Sequence, residues 1–272
     1  MPASRAGMPR GMGSALAYLG AAAQIGVIGA PLGLVIWMSL QDPRGQADWS
    51  LASWRTILVS QEAGFALAYS AVLGALIAAL STLLAIPFAY LIAVRRGRAG
   101  RFALAFLLMS WFLDPGLRIL GWMQVIKTTT LFRLMPDALQ GSLAAELVAG
   151  IHAWLPAAAI LLAIGFARVP AEFVAAAREC GASSISLMRR ILWPQSQPWS
   201  SLVLAIVFCG ATGNFLEPRL LGSGMFEQAT EWLQRAMESE VGWPYASTML
   251  ILLLLAATFP LLLLVLSARR RS

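Results

Sequence analysis

The sequence predicts an all-α integral membrane protein of six spans, and three observations carry that prediction. Hydrophobic residues make up 59% of the chain and charged residues 12%, about half the charged share of a soluble domain. The apolar residues gather into stretches of about 20 or more, the length that crosses a bilayer core, and mean hydropathy is +0.73. The charges cluster between those stretches and do not line one face of a soluble fold. Bilayer topology therefore accounts for the net charge of +7, and nucleic-acid binding does not.

The first span is expected at 15–40, behind a tail over 1–14 that carries Arg5 and Arg10. Its apolar run is too long for a signal peptide, so it reads as uncleaved. The second, at 63–94, is longer than a bilayer needs and must tilt or protrude. A third at 102–126 is interrupted by Asp114, Pro115 and Arg118. The last three are expected at 143–167, 199–221 and 244–268, closing a core over 63–268 ahead of a basic tail at 269–272. Pro31, Pro87, Pro156 and Pro260 lie in or near spans, where neighbouring groups must satisfy the freed carbonyls. Trp37, Trp49, Trp54, Trp111, Trp122 and Trp243 fall near span ends and read as interface anchors.

Alternating the loops between two sides places 13 of the 20 basic residues on one side with two acids, Glu172 and Glu179. The basic groups are Arg5 and Arg10, the cluster Arg95–Arg101, Arg168, Arg178, Arg189 and Arg190, and Arg269–Arg271. That asymmetry predicts both termini and the loops over 95–101 and 168–198 in the cytoplasm.

The 168–198 loop holds the strongest local signals. Pro170 suits a first helical turn and Glu172 its positive end. Gly181 suits a left-handed residue closing the helix. Ser183 or Ser184 then caps a second short helix, which Pro194 is expected to stop. Phe173, Ala176, Ala177 and Cys180 recur at i, i+3, i+4 and i+7, a stripe of mostly small side chains. A helix this short needs a partner to be stable, and a bare face admits one closely.

This loop resembles the "EAA" loop of ABC importer permeases. There, Glu-Ala-Ala, three residues and Gly are followed nine residues later by Ile-x-Leu-Pro. Here Ala175-Ala176-Ala177, then Gly181, then Ile191-Leu192-Trp193-Pro194 keep that spacing throughout. Ala175 stands in place of Glu and Trp193 in place of Leu. The resemblance implies a type I ABC importer permease fold with a cytoplasmic coupling helix. Its ATPase-coupling residues would be Glu172, Ala175, Ala176, Ala177, Arg178, Gly181, Ile191 and Pro194. It also implies an ABC ATPase dimer as partner, which binds the ATP and Mg²⁺, together with a second permease subunit and an extracytoplasmic solute-binding protein.

Three further stretches resemble spermidine/putrescine-type permeases: Arg118-Ile-Leu-Gly-Trp122, Gly213-Asn-Phe-Leu-Glu-Pro-Arg-Leu-Leu-Gly222 and Gly242-Trp-Pro-Tyr245. That likeness implies a polyamine as solute. Asn214 stands where those permeases carry Asp, and Arg219 where they often carry Glu. The two changes argue for an organic acid or an aminophosphonate instead. Asp114, Arg118, Trp122, Asn214, Glu217 and Arg219 are the candidate solute-path residues, with Asp114 and Arg118 spaced i, i+4 as an ion pair if a helix runs through them. His152, beside Trp154, reads as a hydrogen-bonded packing residue. Glu227, Glu231, Glu238 and Glu240 read as a solvated outer loop.

Lys127 is the sole lysine and follows Ile126, so the phosphate-loop Gly-Lys-Ser/Thr is missing. One histidine and two cysteines, Cys180 and Cys209, make neither a metal cluster nor a nucleophilic triad. The chain is therefore expected to be no enzyme and to hold no cofactor. An ion-coupled secondary transporter is the rival class, marked by intramembrane acids, of which Asp114 and Glu146 are the available examples.

Overall fold

The computed structural model describes residues 10–45, 49–95, 97–127, 142–222, 226–239 and 242–269, and every regular element among them is helical. The helices are α1 (Arg10–Ser39), α2 (Ala52–Val59), α3 (Gln61–Tyr90), α4 (Arg98–Phe112), α5 (Pro115–Lys127) and α6 (Leu143–Ala167). They continue as α7 (Ala171–Glu179), α8 (Ser184–Leu187), α9 (Trp193–Gln195), α10 (Gln197–Thr212), α11 (Leu216–Leu221), α12 (Ala229–Met237) and α13 (Trp243–Arg269). Arg5, Arg96, Glu240, Arg270 and Arg271 lie outside the described residues.

Among the described residues four helices are long and apolar enough to cross a membrane: part of α1, α3 with its continuation to Arg95, α6 and α13. They match four of the six expected spans. The expected second span runs 35 residues, Gln61–Arg95, and ends in a π-helical turn at Leu91–Arg95.

The other two spans are broken. At 102–126 the chain forms α4 and α5, bent by 97°. Asp114 precedes Pro115, which disfavours helical backbone. Its Oδ1 accepts hydrogen bonds from the backbone of Gly116 at 2.8 Å and Leu117 at 3.3 Å. Asp114 thus caps α5 and does not form the expected ion pair with Arg118. At 199–221 the chain stops at Thr212 and resumes as α11. Pro218 has no N–H to give to the carbonyl of Asn214. That carbonyl accepts instead from Thr230 Oγ1 at 2.9 Å, while Asn214 Oδ1 accepts from Leu216 N at 3.3 Å. The asparagine supplies a local alternative to helix, and the span breaks there.

The core lies where α3, α6 and α10 meet, built from Leu73, Ile77, Ala158, Leu162, Phe166, Val203 and Val207 with many alanines. Small residues let membrane helices approach closely. A Cβ on Gly210 would run into the Trp154 ring, and one on Gly74 into Thr212. Helix α13 packs on α10, α12 and α1. Much of the large apolar surface of α1, α3, α4 and α13 is exposed, including Ile25, Leu83, Phe106 and Leu255, as suits contact with lipid.

Candidate functional site

One end of the bundle carries α7. None of its residues is buried. Pro170 stands one position before the helix, as its N-cap residue, and the exposed Glu172 lies in the first turn. The helix closes by a double hydrogen bond, Gly181 N to Arg178 O and Ala182 N to Ala177 O, both 2.9 Å. That closure requires a left-handed residue, and Gly181 has φ +78°. Ser183 then caps α8, its Oγ accepting from Ser186 N at 3.2 Å.

The stripe divides into two faces. Phe173 is 51% exposed, and Ala175, Ala176 and Cys180 are exposed beside it. Ala177 turns inward with Val174 and packs on the core. Arg178 is exposed at the end of α7.

Pro194 does not end the second helix, contrary to expectation. The chain widens into a π-helical turn at Met188–Leu192, passes through α9, kinks at Ser196 and enters α10. The missing N–H of Pro194 breaks the i→i−4 ladder, and the wider turn just ahead absorbs the break. Ile191 lies half-buried against the core, and Pro194 is exposed. The true anchors, Leu187 and Leu192, are almost wholly buried. They escaped the sequence reading because their i, i+5 spacing is that of a π-turn, not an α-helix. Tyr90 was also missed: its hydroxyl meets Ser184 Oγ at 3.1 Å and ties the end of α3 to this loop.

The opposite end is organised by α12. Ala229 N donates to Ser70 Oγ on α3 at 2.9 Å, and Gln228 Nε2 to Glu146 Oε2 on α6 at 3.3 Å. Glu146 is only 5% exposed. Glu231 completes a capping box by accepting from Gln228 N at 2.9 Å. Glu227, expected to be solvated, forms a 2.6 Å ion pair with Arg235. Partial burial nevertheless holds its carboxyl above the ordinary carboxylate range, with Arg235 opposing the shift. Glu146 lies in the first turn of α6, after the Ser142 cap; the sequence pointed to it only as an acid within a span.

A cavity of about 600 Å³ lies between α10, α11, α12 and α13, lined by Phe215, Arg219, Thr230, Gln234 and apolar residues of α13. The Arg219 guanidinium lies 5.5 Å from the centre of the Phe215 ring. Glu217, on the same short helix, is only 6% exposed. The α5 candidates sit apart from this cavity, although α11 packs on α5 through Ile119 and Leu221. Arg118 Nε is buried with no hydrogen-bond partner among the described residues. Trp122 is a helix-to-helix contact as well as a span-end residue: its Nε1 donates to His152 Nδ1 at 3.3 Å. His152 is thus hydrogen-bonded, as expected.

A family model described as the binding-protein-dependent transport system inner membrane component matches residues 63–272. No curated protein matches the sequence. Among solved structures, a chain of a bacterial ABC transporter involved in the import of the acidic polysaccharide alginate superimposes with a TM-score of 0.67 and 15% identity, over 93% of this chain and 96% of that one. A chain of the MetNI methionine ABC transporter, in inward-facing form, superimposes with a TM-score of 0.59 and 16% identity, over 79% of this chain and all of that one. At these identities the likeness is one of fold, and it is the all-α type I importer architecture expected from the sequence.

Proposed function

Because the chain belongs to the family of binding-protein-dependent transport system inner membrane components, and is thus the permease part of an ABC importer and not its catalytic part, we propose that α7 and its closing turn are the coupling element. Two ATPase subunits, holding ATP and Mg²⁺, would seat this helix and its counterpart on a second permease chain. A solute-binding protein would meet the opposite end, near α12. Closure of the ATPases draws the coupling helices together and opens the path outward, and hydrolysis resets it. The charge asymmetry of the loops supports a bacterial inner-membrane location with α7 and both termini in the cytoplasm.

The observation that carries this reading is the bare outer face of α7, held on its inner face by Val174 and Ala177. A helix of 9 residues with no buried side chain gains little from its own chain and acts as a lever only when seated elsewhere. In a background with Cys180→Ser and Cys209→Ser, Ala176→Cys should crosslink to the ATPase in good yield and Ala177→Cys poorly. No ATPase adduct from position 176, or labelling of that position from outside the cell, would overturn the assignment.

The solute reading rests on Arg219. Among the described residues the 600 Å³ cavity is lined by this guanidinium and no carboxylate, which disfavours a polyamine and suits an organic acid or an aminophosphonate. Arg219→Ala should raise the KM for uptake about tenfold or more, the effect of losing a charge-assisted hydrogen bond. An assembled transporter whose ATPase is stimulated, through its binding protein, by polyamines and not by carboxylates or aminophosphonates would contradict it.

A further inference from the structure

A second concavity, of about 500 Å³, sits behind the coupling turn and is lined by Tyr90, Arg95, Arg178, Gly181, Ser183 and Ser184. It joins two chain segments distant in sequence. Tyr90 and Arg95 come from the end of α3 and its π-helical turn, and the other four from the closing turn of α7 and the start of α8. The Tyr90 hydroxyl meets Ser184 Oγ at 3.1 Å and is also reached by Arg178. Among the described residues no carboxylate lines the pocket, and neither Arg95 nor Arg178 forms an ion pair.

Two exposed guanidinium groups thus share one hollow, with no acid among the described residues lining it to offset their charge. A tyrosine hydroxyl and two serine hydroxyls add neutral hydrogen-bonding groups at the same place. Planar guanidinium forks with nearby hydroxyls are the donor set that recognises phosphate oxygens. We propose that this pocket binds a phosphate group, carried by a phospholipid headgroup or by a free phosphate species, and that the bound anion pins the coupling turn to the end of α3. The inference adds a ligand to the coupling element and rests on that reading only for its consequence. Binding itself is measurable whether or not α7 engages an ATPase.

The test uses the purified, assembled transporter. Inorganic phosphate should raise its melting temperature saturably in detergent, where equal ionic strength of chloride does not. Arg95→Gln should weaken that apparent affinity about tenfold or more, and Tyr90→Phe should weaken it less. Arg95→Lys, which keeps the charge, should restore part of it and shows that loss in Arg95→Gln is not misfolding. In nanodiscs, competition between phosphatidylglycerol and added phosphate in the wild type, but not with phosphatidylcholine, identifies a headgroup as the source. Phosphate binding equal in both lipids identifies a free species, and either result supports the site. A wild-type transporter with no saturable phosphate effect in detergent, or an Arg95→Gln variant that binds as tightly, overturns it.

Discussion

Membranes carrying Gly181→Trp are expected to contain normal amounts of the permease and to show no ATP-dependent uptake. Gly181 adopts φ +78°, a conformation that costs a side-chain-bearing residue about 1–2 kcal/mol. A Cβ placed there meets no atom within 4 Å, and the position is exposed, so a side chain leaves the turn toward open space and the buried core is untouched. What changes is the surface beside Ala176 and Cys180, where the proposed ATPase must approach. Gly181→Asn separates the two effects, since asparagine tolerates left-handed backbone without the bulk. It should retain most transport. Unchanged uptake by the tryptophan variant would show that this turn is not a docking surface.

Glu146→Ala should destabilise the solubilised protein by about 1–3 kcal/mol, whereas Glu146→Gln should be close to wild type in stability and uptake. The carboxylate is buried and accepts from the buried Gln228 amide, so removing it strands that donor. Glutamine keeps an oxygen at the same place. A melting curve in detergent reads the first effect and ATP-driven uptake the second. The pair also discriminates the rival class: were Glu146 the proton-carrying acid of an ion-coupled transporter, glutamine would abolish uptake while leaving stability intact. A structural clasp leaves both stability and uptake of that variant intact.

The two variants act at opposite ends of one bundle. Glu146 helps anchor α12 to α3 and α6, and Tyr90 ties the other end of α3 to the proposed coupling loop. Helix α3 therefore touches both the proposed binding-protein end and the proposed ATPase end. Its close packing on α6 and α10, through Gly74, Ile77 and Gly150, makes it a stiff connection between them.

Much of this was legible in the residues. Long apolar runs identify spans whatever their packing, and α3, α6 and α13 lie within a few residues of the expected bounds. The closing turn of α7 was legible too, because only glycine relieves a left-handed position and a serine two residues on caps the next helix. Where a polar side chain competes with the backbone, hydropathy is blind to the outcome. Asp114, by capping α5, and Asn214, by a side-chain hydrogen bond to Leu216 N just ahead of α11, each accompany the break of an apparent single span into two helices.

What the sequence determined alone is a set of local, one-dimensional properties: membrane residence, the helical class, the spacing of the coupling loop and its glycine closure. Each arises from transfer of apolar groups out of water or from the backbone limits of a single residue. Tertiary structure decided which side chains meet: that Ala177 faces in while Ala176 faces out, that Glu146 is clasped by Gln228, and that Arg95 and Arg178 share one hollow. Those pairings join residues up to 83 positions apart in the chain. They come from close helix packing, which periodicity within any one segment does not encode.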